Sequence, residues 1–209
     1  ADIPATIAET EHTKPSNVLF AGNLGQWYGR MLLQLANSLE HQADIQLRIA
    51  GGNHSWETQD VERLTDQGVF LGFLKGEAYQ TALQEADALL VMMGFEAESR
   101  LIESTSFKSK LADYLVAGKP IIVWWPDYCT AATSAIRHEF GAVADRASTD
   151  SVVEKTRFLA SNPSECRRLA ENGRRFYQAH LDPDRVFSDA LSAINELITP
   201  RSVINGSCR

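Results

Sequence analysis

The chain has 209 residues, 44% hydrophobic and 22% charged, with a formal net charge of -7. That size suits one sizeable globular domain or two small ones, and the acidic balance argues against a nonspecific nucleic-acid binder and against a polybasic membrane anchor. Cys129, Cys166 and Cys208 are odd in number and widely spaced, which matches neither a disulfide framework nor a zinc motif and points to a reducing compartment, the cytoplasm. No run is long and apolar enough to span a bilayer, and no signal peptide is visible. The first residue is Ala1 rather than Met, as expected of a processed product or a piece of a longer protein.

Residues 1–16 are polar and carry Pro4 and Pro15; they read as a leader or linker. Asn17 to Ala21 is a short apolar strand running into the turn Gly22-Asn23-Leu24-Gly25. Met31, Leu32, Leu35, Ala36 and Leu39 then recur at helical spacing. Ile45 to Ala50 is a second strand, closed by Gly51-Gly52, and Trp56 to Gln67 a polar helix. Val69 to Leu71 reads as a third strand, Glu77 to Ala86 as a helix, and Ala88 to Met92 as a fourth strand. Between that strand and the next helix lie Glu96, Glu98 and Glu103; one of them could face a ligand, but a solvated acidic loop is the simpler reading.

Thr105 to Pro126 carries the densest signal. Leu111, Tyr114, Leu115 and Ala117 lie at helical spacing, Gly118 stops the helix in a left-handed C-cap, and Pro120 prevents its resumption. Ile121 to Trp125 then reads as a buried parallel strand, with at least one of Trp124 and Trp125 in the core. Thr130 to Phe140 is helical and Ala142 to Ala144 is a short sixth strand. Residues 149–198 show only helical periodicity, broken at Asn162-Pro163 and Asp182-Pro183. The last residues, 199–209, read as a frayed tail.

Strands alternating with helices through short loops indicate an α/β, Rossmann-like, doubly wound parallel sheet of about six strands, with helices covering it at the C-terminal end. Ligands in such sheets bind outside the carboxyl ends of the strands. Glycine follows four of the first five strands closely. These are either tight turns only, or places where backbone approaches a ligand. The helix that starts after Lys108 gathers Ser106, Lys108, Ser109 and Lys110 at its N-terminus. Unpaired amides, a partial positive charge and these side chains suit a phosphate; an ordinary amphipathic helix with solvated lysines would look the same. Asp113 lies three residues after Lys110, as a surface ion pair or as a carboxylate for a sugar's hydroxyls. The five histidines are scattered, His54 among them, and no Ser-His-Asp set or nucleophile elbow can be assembled.

The order of these pieces resembles the C-terminal half of GT-B-type glycosyltransferases, most closely the large retaining family 4. Ser109 to Ile122 (SKLADYLVAGKPII) is similar to that family's SKLxEYLAAGKPII stretch, Val18 to Gly25 to its xYAGNLG start, and Leu47 to Gly52 to its LxIxGxG strand. Val69 to Lys75 followed by Ala86 to Leu90 resembles VxFLGxL…ADxxL, so that the resemblance covers roughly residues 17–197. It implies a nucleotide-sugar donor site in a domain spanning residues 17–198. Asp113 stands at the ribose-binding carboxylate, one methylene shorter than the usual Glu. Lys108, Ser109 and Lys110, with Ser106 beside them, would meet the diphosphate, as would the loop Gly22, Asn23, Leu24 and Gly25. Phe73 and Leu74 would hold the base, and Thr105 stands near the donor sugar. Many members carry Arg, Lys and Glu where this chain has Asn23, Tyr28 and Thr105.

The resemblance further implies sugar transfer to a glycan, lipid or small-molecule acceptor. No cofactor or metal is expected, and no catalytic residue can be named. The acceptor would be bound by an N-terminal domain that this chain lacks. The departures keep open a nucleotide- or nucleotide-sugar-binding module without turnover, or a regulatory partner subunit.

Overall fold

The computed structural model describes residues 16–198. The expected leader, except Ser16, and the expected tail lie outside the described residues, as does Cys208. Ser16 already belongs to the first strand.

In chain order the elements are β1 (Ser16–Asn23), α1 (Gln26–Leu39), β2 (Ile45–Gly52), α2 (Thr58–Asp66), α3 (Gly76–Glu85), β3 (Ala88–Met92), a 3-10 turn (Ala97–Ser99), α4 (Arg100–Thr105), α5 (Ser109–Ala117), β4 (Ile121–Trp124), α6 (Thr130–Arg137), β5 (Gly141–Ala144), α7 (Thr149–Ala160), α8 (Pro163–His180) and α9 (Pro183–Ile198). The strands form one parallel sheet in the order β2-β1-β3-β4-β5.

The sheet has five strands rather than six. Val69 to Leu71, expected as a strand, forms only an isolated parallel bridge between Phe70 and Ile49. Gly68 and Gly72 bound it at positive φ, 69° and 67°, so just three residues are free to run extended. They pair on one side only, through Ile49 N–H to Val69 O at 2.7 Å and Leu71 N–H to Ile49 O at 2.9 Å. The bridge lies beyond β2, where an outer strand would continue the sheet.

Successive strand residues face opposite sides, so the apolar runs feed two cores. Val18, Phe20, Leu90, Met92, Ile122 and Trp124 pack on one face beneath α1, α2 and α7. Leu19, Ala21, Leu89, Val91, Ile121, Val123 and Trp125 pack on the other beneath α3, α5 and α6. Both tryptophans are therefore core, on opposite sides of the sheet. Fully burying one large apolar side chain stabilises the fold by about 1.5–3 kcal/mol.

Two prolines start helices where the sequence breaks: Pro163 opens α8 after Asn162, and Pro183 opens α9. Gly118 caps α5 in the left-handed conformation at φ 66°, and the Arg174 side chain lies where a Cβ would be. The last helix, α9, buries no residue; Val186, Phe187, Leu191, Ile194, Leu197 and Ile198 are exposed along it.

Candidate functional site

Because all strands run parallel, their carboxyl ends share one edge. The chain leaves β1 toward β2 on one side, and β3 returns on β1's other side. The crevice between the ends of β1 and β3 is therefore the topological switch point, where such sheets bind ligands.

Three sequence segments meet there. The first is the β1–α1 turn, Gly22 to Gly25, with Tyr28 in the first turn of α1. The second is Met93 and Gly94 after β3. The third is the start of α5. A buried tyrosine brings α5 to this place: Tyr114 accepts the Ala21 amide at 2.8 Å and its hydroxyl donates to the Ala21 carbonyl at 3.4 Å. Burial drives this phenol's pKa well above its ordinary value, so it remains a neutral tie between α5 and β1.

At the crevice the Lys108 ammonium donates to the Tyr28 hydroxyl at 2.8 Å and lies 4.7 Å from the ring centroid. The Tyr28 hydroxyl is 3.7 Å from Met93 Sδ and 3.5 Å from Glu103 Oε1. Burial, and then the Glu103 carboxylate, push the Tyr28 phenol up to about 12. Burial lowers Lys108, opposed by the attraction of Glu103.

The helix ends suit an anion. None of α1, α5 and α6 has a side-chain cap or an acid in its first turn, whereas α2, α3, α7, α8 and α9 all carry an acid there. Such ends leave amides and partial positive charge unopposed. Asn23 Oδ1 accepts the Gly25 amide at 2.9 Å, so that one amide of the first loop is already engaged.

Lys110 and Asp113 form a second group, further along α5. The Lys110 ammonium lies 3.1 Å from Asp113 Oδ2 and 4.5 Å over the Tyr79 ring, and the Tyr79 hydroxyl donates to the same oxygen at 3.2 Å. Both contacts fall on Oδ2, and the Asp113 side chain stays about half exposed, at 48%. An exposed pair of this kind is worth about 0.2–1 kcal/mol. The structure thus divides the two lysines: Lys108 is at the switch point, and Lys110 is held by Asp113.

The remaining candidates are more peripheral. Phe73 is 67% exposed after the Phe70 bridge, with the Lys75 ammonium 5.2 Å from its ring centroid, while Leu74 packs against the core. Thr105 is exposed at the end of α4, and its hydroxyl donates to the Leu101 carbonyl. Ser106 is half-buried and Ser109 exposed. His54 belongs to a ring cluster with Trp56 and Phe70.

Glu103 corrects the sequence reading. The expected solvated acidic loop is in part the short helix α4, and Glu103 on it is fully buried. Tyr28 is read from the sequence only as a departure, and Tyr79 is not singled out. A tyrosine in the first turn of a helix that starts at the carboxyl edge is a usable signal for Tyr28; Glu103 has none, because its burial is set by residues far away in sequence. Among the described residues no group of three or more His, Cys, Asp or Glu side chains could hold a metal ion, and no helix is long and apolar enough to cross a membrane.

Comparisons with known proteins agree on the fold. Solved structures that resemble the chain include HepE from Anabaena, in complex with UDP and glucose (TM-score 0.63, 14% identity, covering 87% of this chain and 48% of that one). Sucrose-phosphate synthase from Thermosynechococcus elongatus is similar (TM-score 0.64, 18% identity, 90% of this chain and 46% of that one). So is the C-terminal domain of a group 1 glycosyl transferase, LpcC, from Francisella tularensis (TM-score 0.57, 13% identity, 80% of this chain and 87% of that one). The chain spans about half the length of the first two of these chains. No curated protein matches it in sequence. The family model for glycosyl transferases group 1 matches residues 2–176, so the chain belongs to the glycosyl transferases group 1 family.

Proposed function

We propose that this chain is the donor domain of a glycosyltransferase, binding a nucleotide sugar at the switch-point crevice for transfer to a glycan, lipid or small-molecule acceptor. The observation that carries this reading is the Lys108–Tyr28 contact. Tyr28 occupies the position where the family resemblance leads one to expect a lysine, and Lys108 brings an ammonium to within 2.8 Å of its hydroxyl from the α5 side. The cation is thereby supplied from another element, which weighs against a degenerate module without turnover.

In this reading the donor diphosphate lies between the Gly22–Gly25 loop and the start of α5, against Lys108, Ser109 and Ser106. Lys110 lies one step further out. Ribose hydroxyls donate to Asp113, whose Oδ1 takes neither of the contacts from Lys110 and Tyr79. The base stacks near Phe73 and Leu74, and the donor sugar extends toward Thr105. As the glycosidic bond to the leaving group breaks, negative charge grows on the diphosphate. A fixed ammonium and two helix N-termini stabilise that charge more than they stabilise the bound ground state. This chemistry needs no metal.

The acceptor is held by a second domain outside this chain. The exposed apolar row of α9 supports this, because a continuous apolar surface of that kind suits a packing partner. We place the protein in the cytoplasm, where nucleotide sugars and reduced cysteines are both at home.

The test is calorimetric titration of the chain with UDP-, ADP- and GDP-sugars, with and without chelator. Binding of one class, equal in both conditions, is expected; affinity that appears only with a divalent metal sinks the metal-independent mechanism. Asp113→Asn is expected to weaken a ribonucleoside diphosphate roughly ten- to hundredfold and its 2′-deoxy counterpart much less. Equal losses for both ligands would remove Asp113 from the ribose site.

A further inference from the structure

One carboxylate at the floor of the crevice is buried with unusually little to satisfy it. Glu103 is fully excluded from solvent. Its Oε1 accepts the Gly94 amide at 3.3 Å and stands 3.5 Å from the Tyr28 hydroxyl, both long for hydrogen bonds. Its Oε2 has no hydrogen-bond partner among the described residues. Buried polar atoms are normally paired, and a thinly paired carboxylate is costly to keep. A purely structural position would be cheaper with an apolar residue.

The charge nearest to it in role is Lys108. The ammonium donates to the Tyr28 oxygen, and the Tyr28 hydroxyl lies 3.5 Å from Glu103 Oε1 and 3.7 Å from Met93 Sδ. Ammonium, phenol and carboxylate thus form a chain across three elements, α1, α4 and the start of α5.

We propose that Glu103 is the positioning residue of the donor site: through Tyr28 its carboxylate holds the Lys108 ammonium at the crevice, and nucleotide-sugar binding there takes up a proton at Glu103. This role rests on the crevice being the donor diphosphate site.

The sign follows from the groups that face Glu103. Tyr28 comes from α1, Glu96 from the loop after β3, Lys108 from the start of α5, and Tyr128 and Cys129 from the loop before α6. Burial keeps the phenol of Tyr28 (about 12) and the thiol of Cys129 (about 11) protonated, and burial first also raises Tyr128. Glu96 is paired with Arg30. Burial raises Glu103 above the usual glutamate range, against the pull of the Gly94 amide and Lys108. Two phosphate charges arriving at Lys108 compete for its ammonium and repel the carboxylate, so they raise Glu103 further. The bound state then holds more protons than the free state, and affinity rises as pH falls through that window.

UDP-glucose is the probe, because its esterified diphosphate has no group titrating near neutrality, whereas the terminal phosphate of UDP does. The whole chain is titrated between about pH 7.5 and pH 5, in buffers of different protonation enthalpy. Binding that is roughly three- to tenfold tighter at the acid end, with net proton uptake, is expected. Glu103→Gln should lose both the uptake and the pH slope. Tyr28→Phe keeps the carboxylate but breaks the chain, so it should weaken binding at every pH while the uptake persists. The wild-type measurement stands even if a variant fails to fold. UDP-glucose binding without proton uptake, or a Glu103→Gln protein that keeps the slope, overturns the role of Glu103 alone. Failure of the wild type to bind UDP-glucose or any other nucleotide sugar overturns the donor-site reading, and this role with it.

Discussion

Lys108→Ala is expected to weaken UDP and UDP-glucose by roughly ten- to hundredfold, the loss of one charge-assisted hydrogen bond or slightly more, and to leave uridine almost unaffected. The ammonium spends one donor on the Tyr28 hydroxyl, and a lysine has three, so two remain for phosphate oxygens without moving the side chain. It is half-buried, and there a charge acts through a lower effective dielectric than at the surface. Lys110→Ala should cost less than Lys108→Ala. Its ammonium is engaged with Asp113 and Tyr79, and any phosphate must compete with them. Calorimetry on both variants against UDP, UDP-glucose and uridine makes the comparison. Losses below threefold for both lysines, or a Lys110 effect exceeding that of Lys108, would move the diphosphate out of the switch-point crevice.

That ranking was not available from the sequence, in which Lys108 and Lys110 look alike. What the sequence carries well is local. Gly118 announces its left-handed cap, the run from Ile121 announces a buried strand, and prolines mark where α8 and α9 begin, because each signal is settled by the residue itself and its immediate neighbours. Edge pairing is not local. Val69 to Leu71 has the composition of a strand, yet its two flanking glycines and one-sided pairing leave only a bridge. The site is less local still. Lys108 reaches Tyr28 across 80 residues of chain and Tyr79 reaches Asp113 across 34. Glu103 shares its sequence context with Glu96 and Glu98 and is separated from them only by the tertiary contacts that bury it. The family resemblance singles out these residues as a candidate site, and the geometry sorts them into a switch-point group and an outer group.

Gly51→Ala should damage both the fold and the site, and Gly52→Ala neither. Gly51 pairs with Gly22 where β1 turns into the first loop. A Cβ on Gly51 would lie 2.0 Å from the Gly22 carbonyl oxygen and 3.0 Å from Leu24 Cγ. The first of these is backbone and cannot rotate away, so β1 and β2 must part. Overpacking of this kind costs about 2–3 kcal/mol, which for a domain of this size lowers Tm by roughly 4–12 °C. The displaced oxygen belongs to the loop that we propose faces the diphosphate, so nucleotide affinity should fall even at temperatures where the variant is fully folded. A Cβ on Gly52 meets nothing within 4 Å. There alanine only restricts the unfolded chain, and it should leave stability unchanged or raise it by about 0.4–1 kcal/mol. Thermal melts and UDP titrations on the two neighbouring variants share one strand and one chemical change. If Gly51→Ala melts with the wild type, the close approach of β2 to the first loop does not hold that loop in place; if it melts early but binds UDP normally once folded, the loop is not part of the diphosphate site.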